Sequence, residues 1–183
     1  MSFSEADNKM NLNYKHLGMY LVVGIASGLL CELIYTNHDV WKYVGPSLVL
    51  GAMITLAGRY ISGITPRNTW LNPLVLILAC GAGWFLAFQH GVNGGFYIWP
   101  VESGVIGGFF VGIGLVIAWR LKRIWMVILL TTLAGGLGGL VLALSDFFGF
   151  KAIFPLFITW QAILLLGIGI SIQIDSRKSS IEK

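Results

Sequence analysis

Three long stretches of this chain contain no Asp, Glu, Lys or Arg. They cover residues 68–101, 124–145 and 152–174, which are 34, 22 and 23 residues long. A helix needs about 20 apolar residues to cross the roughly 30 Å hydrocarbon core of a bilayer. Charged residues make up 11% of the chain, whereas soluble domains carry about 25%. The sequence therefore predicts an all-α integral membrane protein. It argues against a soluble enzyme, a nucleic-acid-binding module and a disulfide-rich secreted domain.

Six segments have the length and the apolar character of membrane spans. They cover approximately residues 17–36, 45–64, 70–89, 99–119, 124–145 and 154–174. Tyr and Trp residues cluster at the ends of these segments, where amphipathic rings sit at the level of the lipid headgroups. We expect an N-terminal arm (1–16) and a C-terminal tail (175–183) to lie outside the bilayer.

Basic residues concentrate in every second segment between the spans. The two ends of the chain and the loops at 59–70 and 119–124 hold all of the 12 Lys and Arg residues except Lys42 and Lys151. Lys and Arg in short loops favour the cytoplasmic side of a membrane. Both termini are therefore predicted to be cytoplasmic, in a bacterial inner membrane. The net charge of +4 is interpreted as a consequence of the basic loops and chain ends on the cytoplasmic side, and no nucleic-acid partner is expected.

Proline and glycine recur at regular spacing along the chain. Three of the five prolines are 54 and 55 residues apart, and each of the three is followed 12 residues later by a glycine: Pro46 and Gly58, Pro100 and Gly112, Pro155 and Gly167. Proline fits the first turn of a helix because that turn needs no backbone N–H partner. The pattern predicts three tandem two-helix hairpins, at about 17–64, 70–119 and 124–174, in a pseudo-threefold bundle.

Small residues four positions apart occur in several of the predicted spans. They are Gly24 and Gly28, Gly104, Gly108 and Gly112, and Gly135 and Gly139. Such pairs let helix backbones approach closely in lipid, so we expect close crossings inside the bundle. Cys31 and Cys80 fall within spans and are interpreted as small buried hydrophobic residues. No metal-ligand spacing is present, and neither a metal nor a cofactor is predicted.

Two acids lie near the predicted outer ends of spans, and ionisable residues at membrane depth are candidates for function. Glu32 could bind a cation, a proton or a positively charged solute, or it could be an interfacial carboxyl paired with His38. Glu102 lies in the first turn of the fourth span, where the helix dipole alone favours an acid. Trp99, Trp160 and Gln161 belong to the same end and could line a cavity with these acids.

The leading hypothesis is a small-solute or ion transport or binding protein with an outward-facing polar pocket. Glu32 and Glu102 would contact the solute or ion, and Trp99 and Trp160 would shape the walls beside Gln161. The alternative is a non-catalytic membrane partner subunit that acts through helix–helix contacts with another membrane protein or a second copy. Recognisable catalytic and nucleotide-binding motifs are absent from the sequence, so an enzyme is not expected.

In its length and its six-span plan the chain resembles two groups of membrane proteins. It is similar to bacterial acid-resistance proteins of the six-span type and to the substrate-binding components of energy-coupling-factor importers. The resemblance reaches no functional motif, and it implies no site residues.

Overall fold

A computed structural model describes residues 12–37, 44–64, 70–93, 99–148 and 156–181 of the chain. Within these ranges the chain forms six α-helices and no strand. The helices are α1 (Tyr14–Asn37), α2 (Gly45–Tyr60), α3 (Leu71–Asn93), α4 (Trp99–Trp119), α5 (Ile124–Phe147) and α6 (Leu156–Ile181). The prediction of an all-α protein is confirmed.

Five of the helices are long and apolar enough to span a membrane, and α2 is the exception. The 16 residues of α2 would extend about 24 Å at 1.5 Å per residue, less than the thickness of the hydrocarbon core. The sequence predicted a span that continues to residue 64, but the helix ends at Tyr60. Gly63 adopts a positive φ of 64°, and the N–H of Ile64 donates to Gly58 O over 2.9 Å. This turn caps the helix and prevents its continuation.

The helices pack in a ring that follows their order in the chain. Each helix contacts the helix before it and the helix after it, and α6 contacts α1. Gly24 on α1 lies against Ala162 on α6, and Gly28 lies against Ile158, so these two helices are antiparallel. The described part of the chain is therefore a multi-pass helical membrane bundle.

Glycines lie at the closest backbone contacts in this ring. A Cβ atom at Gly24 would lie 2.7 Å from Ala162 Cα, and one at Gly108 would lie 3.0 Å from Thr132 Cα. Gly104 and Gly135 also lie directly against each other's backbone between α4 and α5. The predicted close crossings inside the bundle are confirmed. In lipid, where hydrophobic burial gives no drive for helix association, such contacts maximise van der Waals packing.

The end of the ring that carries the start of α1 and the end of α6 is filled by hydrophobic side chains. All six helices contribute to this core, which includes Tyr20, Ile54, Leu76, Leu115, Val127 and Ile168. The backbone N–H of Asn13 donates to Gln173 Oε1 over 2.7 Å, and the N–H of Arg123 donates to Asp175 Oδ1 over 2.7 Å. These bonds tie α6 to the start of α1 and to the start of α5. The helix continues to Ile181, beyond the predicted boundary at residue 174.

The tandem repeat and the side of the membrane that each end faces stay predictions. Pro46 and Pro100 are the second residues of α2 and α4, as the repeat predicts. Pro155 lies outside the described residues, as do most of the predicted N-terminal arm and the loops at 38–43, 94–98 and 149–155.

Cys31 and Cys80 are free and buried, which confirms their interpretation as buried residues.

Candidate functional site

A cavity of about 240 Å³ lies in the half of the ring away from the hydrophobic core. Five of the helices contribute side chains or backbone to its wall, and α2 does not. Six aromatic residues dominate the lining: Tyr35, Trp84, Phe88, Trp99, Phe157 and Trp160. A concave, mostly apolar cavity with a few polar groups is the usual form of a small-molecule site. We therefore take this cavity as the candidate site.

Four of the aromatic rings form a connected series across three helices. Phe157 on α6 lies between Tyr35 on α1 and Trp84 on α3, with ring centroids 5.5 Å and 5.2 Å away. Trp84 also lies 6.1 Å from Phe88, one turn further along α3. Tilted ring pairs at these distances attract one another beyond the effect of their buried area. The series gives the cavity one continuous aromatic wall.

Glycines on α4 and α5 make room for the indole of Trp160. A Cβ atom at Gly107 would lie 2.7 Å from Trp160 Cζ2, and one at Gly138 would lie 2.9 Å from Cδ1. The indole N–H donates to the carbonyl oxygen of Gly135 over 3.2 Å. The ring is thus packed closely against α4 and α5 and is hydrogen-bonded at its polar edge.

A smaller pocket of about 20 Å³ adjoins the aromatic cavity deeper in the ring. The two spaces share four lining residues: Trp84, Gly107, Phe157 and Trp160. Gln161 also lines the smaller pocket and is 1% exposed. Its Nε2 atom donates to Cys31 Sγ over 3.1 Å. Its Oε1 atom has no hydrogen-bond partner among the residues that the structure describes.

Glu32 lies outside the lining of both spaces. Its Oε1 atom accepts a hydrogen bond from the backbone N–H of Phe157 over 2.8 Å, in the first turn of α6. The first N–H groups of a helix lack partners within the helix, and the helix dipole favours a negative charge beside them. This contact gives Glu32 a structural role. His38, its suggested partner, lies outside the described residues.

Glu102 also lies outside the two spaces, on the exposed side of the α3–α4 pair. Its carboxylate is 2.5 Å from His90 Nε2, and the two side chains are 52% and 41% exposed. Glu102 is in the first turn of α4 and His90 in the last turn of α3, so the Glu102 carboxylate also suits the dipole of its own helix. Ser103 reinforces the same helix pair by donating to Ala87 O over 2.9 Å.

The structure therefore brings some of the predicted site residues together and separates others. Trp99 and Trp160 line one cavity, and Gln161 lines the pocket beside it. Glu32 and Glu102 lie elsewhere. Within the described ranges, no three His, Cys, Asp or Glu side chains meet in a way that could hold a metal ion.

No known protein family, curated protein or solved structure matches this chain. The function of the site must therefore be inferred from its own geometry.

Four aromatic residues of the cavity wall were not among the predicted site residues: Tyr35, Trp84, Phe88 and Phe157. Tyr35 lies near the end of the first predicted span, where an aromatic ring is expected at the membrane surface. Trp84 carries the clearest signal, because it lies well inside α3 and away from that surface. An indole at that depth is more easily explained by an internal cavity than by the interface.

Proposed function

We propose that the protein binds a small solute in the aromatic cavity and serves in its transport across, or its capture at, the membrane. The single observation that carries this proposal is the cavity of about 240 Å³ with its six aromatic side chains. Large rigid rings supply contact area at little cost in side-chain entropy. A cavity walled by such rings is suited to a solute that is itself apolar or aromatic.

The filled half of the ring favours a carrier or a solute-binding component over an open channel. Leu115, Leu164 and Ile168 are fully buried in the core beyond the cavity, so the cavity ends blindly in this conformation. A solute that enters would be held, and its release to the other side would require the helices to rearrange.

The lining of the cavity favours a neutral solute over an ion. Neither Glu32 nor Glu102 contributes to it. An ion at membrane depth without an opposite charge or a ring of polar ligands is costly. The outward-facing polar pocket expected from the sequence is thus better described as an aromatic pocket with one buried polar end.

We also propose that both termini are cytoplasmic and that the helices form a tandem repeat of hairpins, and each proposal has its own support. The basic residues at the end that carries Arg59, Arg120 and Arg123 support a cytoplasmic location for both termini, in a bacterial inner membrane. Each contact between predicted hairpins has a glycine packed on a neighbouring backbone, which is consistent with a repeated design. The pairs are Gly51 and Ile77, Gly108 and Thr132, and Gly24 and Ala162.

A partner-subunit role is the second hypothesis. The exposed large side chains of the described helices are mostly Leu, Ile, Val and Phe, which lipid tails cover as well as a protein would. All seven of the glycines in the predicted small-residue pairs pack within the bundle. These features favour solute binding over recognition of a partner helix.

The proposal can be tested with two matched Phe variants of α3. Ala87 lines the cavity, so Ala87→Phe fills part of it. Ala82 is exposed on the same helix, so Ala82→Phe adds the same side chain toward lipid. We expect native mass spectrometry of gently purified protein to find a bound small molecule in the wild type and in Ala82→Phe. Its occupancy should fall by about ten-fold in Ala87→Phe, since overpacking commonly costs over 1 kcal/mol.

Equal occupancy in the two Phe variants would contradict the proposal. So would a wild-type protein that carries no small molecule and a stoichiometric protein partner instead, because that result supports the partner-subunit role.

A further inference from the structure

Gln161 places an unpartnered carbonyl oxygen at the polar end of the site. Its side chain is almost fully buried, and its Oε1 atom has no partner in the described part of the chain. A buried acceptor without a donor costs about 1–3 kcal/mol. Buried polar groups are normally hydrogen-bonded, so an acceptor without a partner is a candidate contact for a bound molecule.

The neighbouring cysteine fixes which end of the Gln161 amide is hydrogen-bonded. Cys31 has one thiol proton, and it donates that proton to Pro46 O over 3.6 Å. The sulfur can therefore only accept from Gln161, as the 3.1 Å contact with Nε2 requires. With the nitrogen bonded to Cys31, the oxygen is the polar atom of the Gln161 side chain that is left without a partner, beside the pocket that Gln161 lines.

Ser47 gives the same pocket a second acceptor. Ser47 lines the pocket and is 5% exposed. Its hydroxyl proton is used in a 2.7 Å hydrogen bond to Val44 O, which leaves the lone pairs of Oγ. Trp160 also lines the pocket, but its indole N–H already donates to Gly135 O. Gln161 Oε1 and Ser47 Oγ can therefore each accept a hydrogen bond from a donor group of the solute.

The adjoining cavity sets the size and shape of the rest of the solute. An apolar cavity of about 150 Å³ holds one benzene molecule, so the cavity of about 240 Å³ here accommodates a two-ring system. Aromatic walls on opposite helices favour a flat molecule that can stack or pack edge to face. Among the described residues no carboxylate lines either space, so a cation would lack an opposite charge.

We propose that the two spaces together bind a neutral, flat, nitrogen-containing aromatic solute whose N–H group donates to Gln161 Oε1. The ring system lies among the aromatic side chains, and the donor edge enters the smaller pocket. This inference rests on the proposed solute-binding function and names the class of solute.

The test compares two probes that differ in one hydrogen-bond donor. Benzimidazole carries a ring N–H, and 1-methylbenzimidazole replaces it with N–CH₃. Binding is measured by isothermal titration calorimetry with the full chain in lipid nanodiscs, and empty nanodiscs correct for partition into lipid. We expect the wild type to bind benzimidazole about ten-fold more tightly than the methylated probe. This comparison needs no variant, so it does not depend on the folding of a mutant.

Two variants then assign the contact to Gln161. Gln161→Leu removes the acceptor at similar volume and should bring the ratio of the two affinities close to one. Gln89→Leu makes the same change at an exposed position of α3 and should keep the wild-type ratio. The thermal stability of Gln161→Leu should change little, because the loss of the weak hydrogen bond to Cys31 Sγ is offset by the removal of a buried acceptor that has no donor among the described residues.

Four results would overturn the inference. They are equal affinity for the two probes, no binding of benzimidazole, an unchanged ratio in Gln161→Leu, and tighter binding of choline, a cation without an N–H. Each of these results concerns the class of solute and leaves the proposed function intact. Failure of that function is distinguished by equal small-molecule occupancy in Ala87→Phe and Ala82→Phe.

Discussion

The carboxylate of Glu32 on α1 accepts a hydrogen bond from the backbone N–H of Phe157 over 2.8 Å, at the start of α6. The same arrangement occurs at the other end of the ring, where Asp175 on α6 accepts from the N–H of Arg123 beside α5. In both cases an acid of one helix satisfies the free N–H groups and the dipole of its neighbour. Glu32 and Asp175 thus each link their own helix to the start of a neighbouring helix.

Removal of the Glu32 carboxylate is expected to affect stability more than binding. Glu32→Ala should lower the free energy of unfolding by about 1 kcal/mol, the usual cost of a lost helix cap. Glu32→Gln keeps an acceptor oxygen and should cost less. Thermal unfolding in detergent checks both variants, with solute occupancy by native mass spectrometry as the second measurement. Normal stability with lost solute binding would instead show Glu32 to be a ligand-contacting residue.

The glycines at the closest helix contacts should not tolerate a methyl group. Gly24→Ala places Cβ 2.7 Å from Ala162 Cα, so α1 and α6 must separate, at a cost of about 1–3 kcal/mol. A Cβ atom at Gly18 on the same helix would have nothing within 4 Å. Gly18→Ala should therefore be neutral or stabilising by up to about 1 kcal/mol, as helix propensity predicts. Equal unfolding temperatures for the two variants would contradict the observed packing.

The indole N–H of Trp160 is expected to contribute to stability, and the ring to the shape of the cavity. Trp160→Phe removes the bond to Gly135 O and should cost about 1 kcal/mol, while an aromatic wall remains. Trp99→Phe is the matched control, since Trp99 begins α4 and is only partly buried. Chemical denaturation followed by circular dichroism measures both. A larger loss of stability in Trp99→Phe would show that the assigned roles are reversed.

The pair formed by His90 and Glu102 should be dispensable for solute binding. Both side chains are about half exposed, and exposed ion pairs contribute at most about 1 kcal/mol. Glu102→Gln should therefore unfold within that margin of the wild type and retain its bound small molecule. Loss of the small molecule in this variant would support the sequence-based hypothesis that Glu102 contacts the solute.

The sequence was sufficient for most of the helices. The apolar segments marked all six, and five of them are long enough to span a membrane. The glycine spacing predicted close crossings inside the bundle, and the structure shows that these lie between α1 and α6 and between α4 and α5. The length of α2 could not be predicted, because Ile61 and Ile64 continue the apolar pattern beyond the end of the helix at Tyr60. Apolar character alone does not distinguish a helix from the capped turn that follows it.

The site was only partly predictable because these helices are apolar on every side. Amphipathic patterning, which reveals the inward face of a helix in a soluble protein, carries little information here. Trp99 and Trp160 were assigned to cavity walls because they belong to the same predicted end as the acids and Gln161. The depth of Trp84 in α3 was a signal for an internal cavity, but only packing shows which face of α3 or α6 is internal, so Phe157 could not be assigned. Glu32 and Glu102 were proposed as site residues because a charged side chain in lipid is costly. In the structure, each carboxylate lies beside the N-terminus of a helix, which offsets that cost.

The most direct test of this account is whether the cavity can be reached from one side of the membrane. In a background with Cys31 and Cys80 replaced by Ala, a cysteine is introduced by Ser103→Cys in the cavity wall or by Val105→Cys on the exposed side of the same helix. Intact spheroplasts are treated with a charged, membrane-impermeant thiol reagent. The account predicts rapid labelling of the Ser103→Cys protein and little labelling of the Val105→Cys protein, because a thiol in lipid does not ionise. Labelling of both proteins at the same rate, or of the Ser103→Cys protein only after the cells are broken, would contradict it.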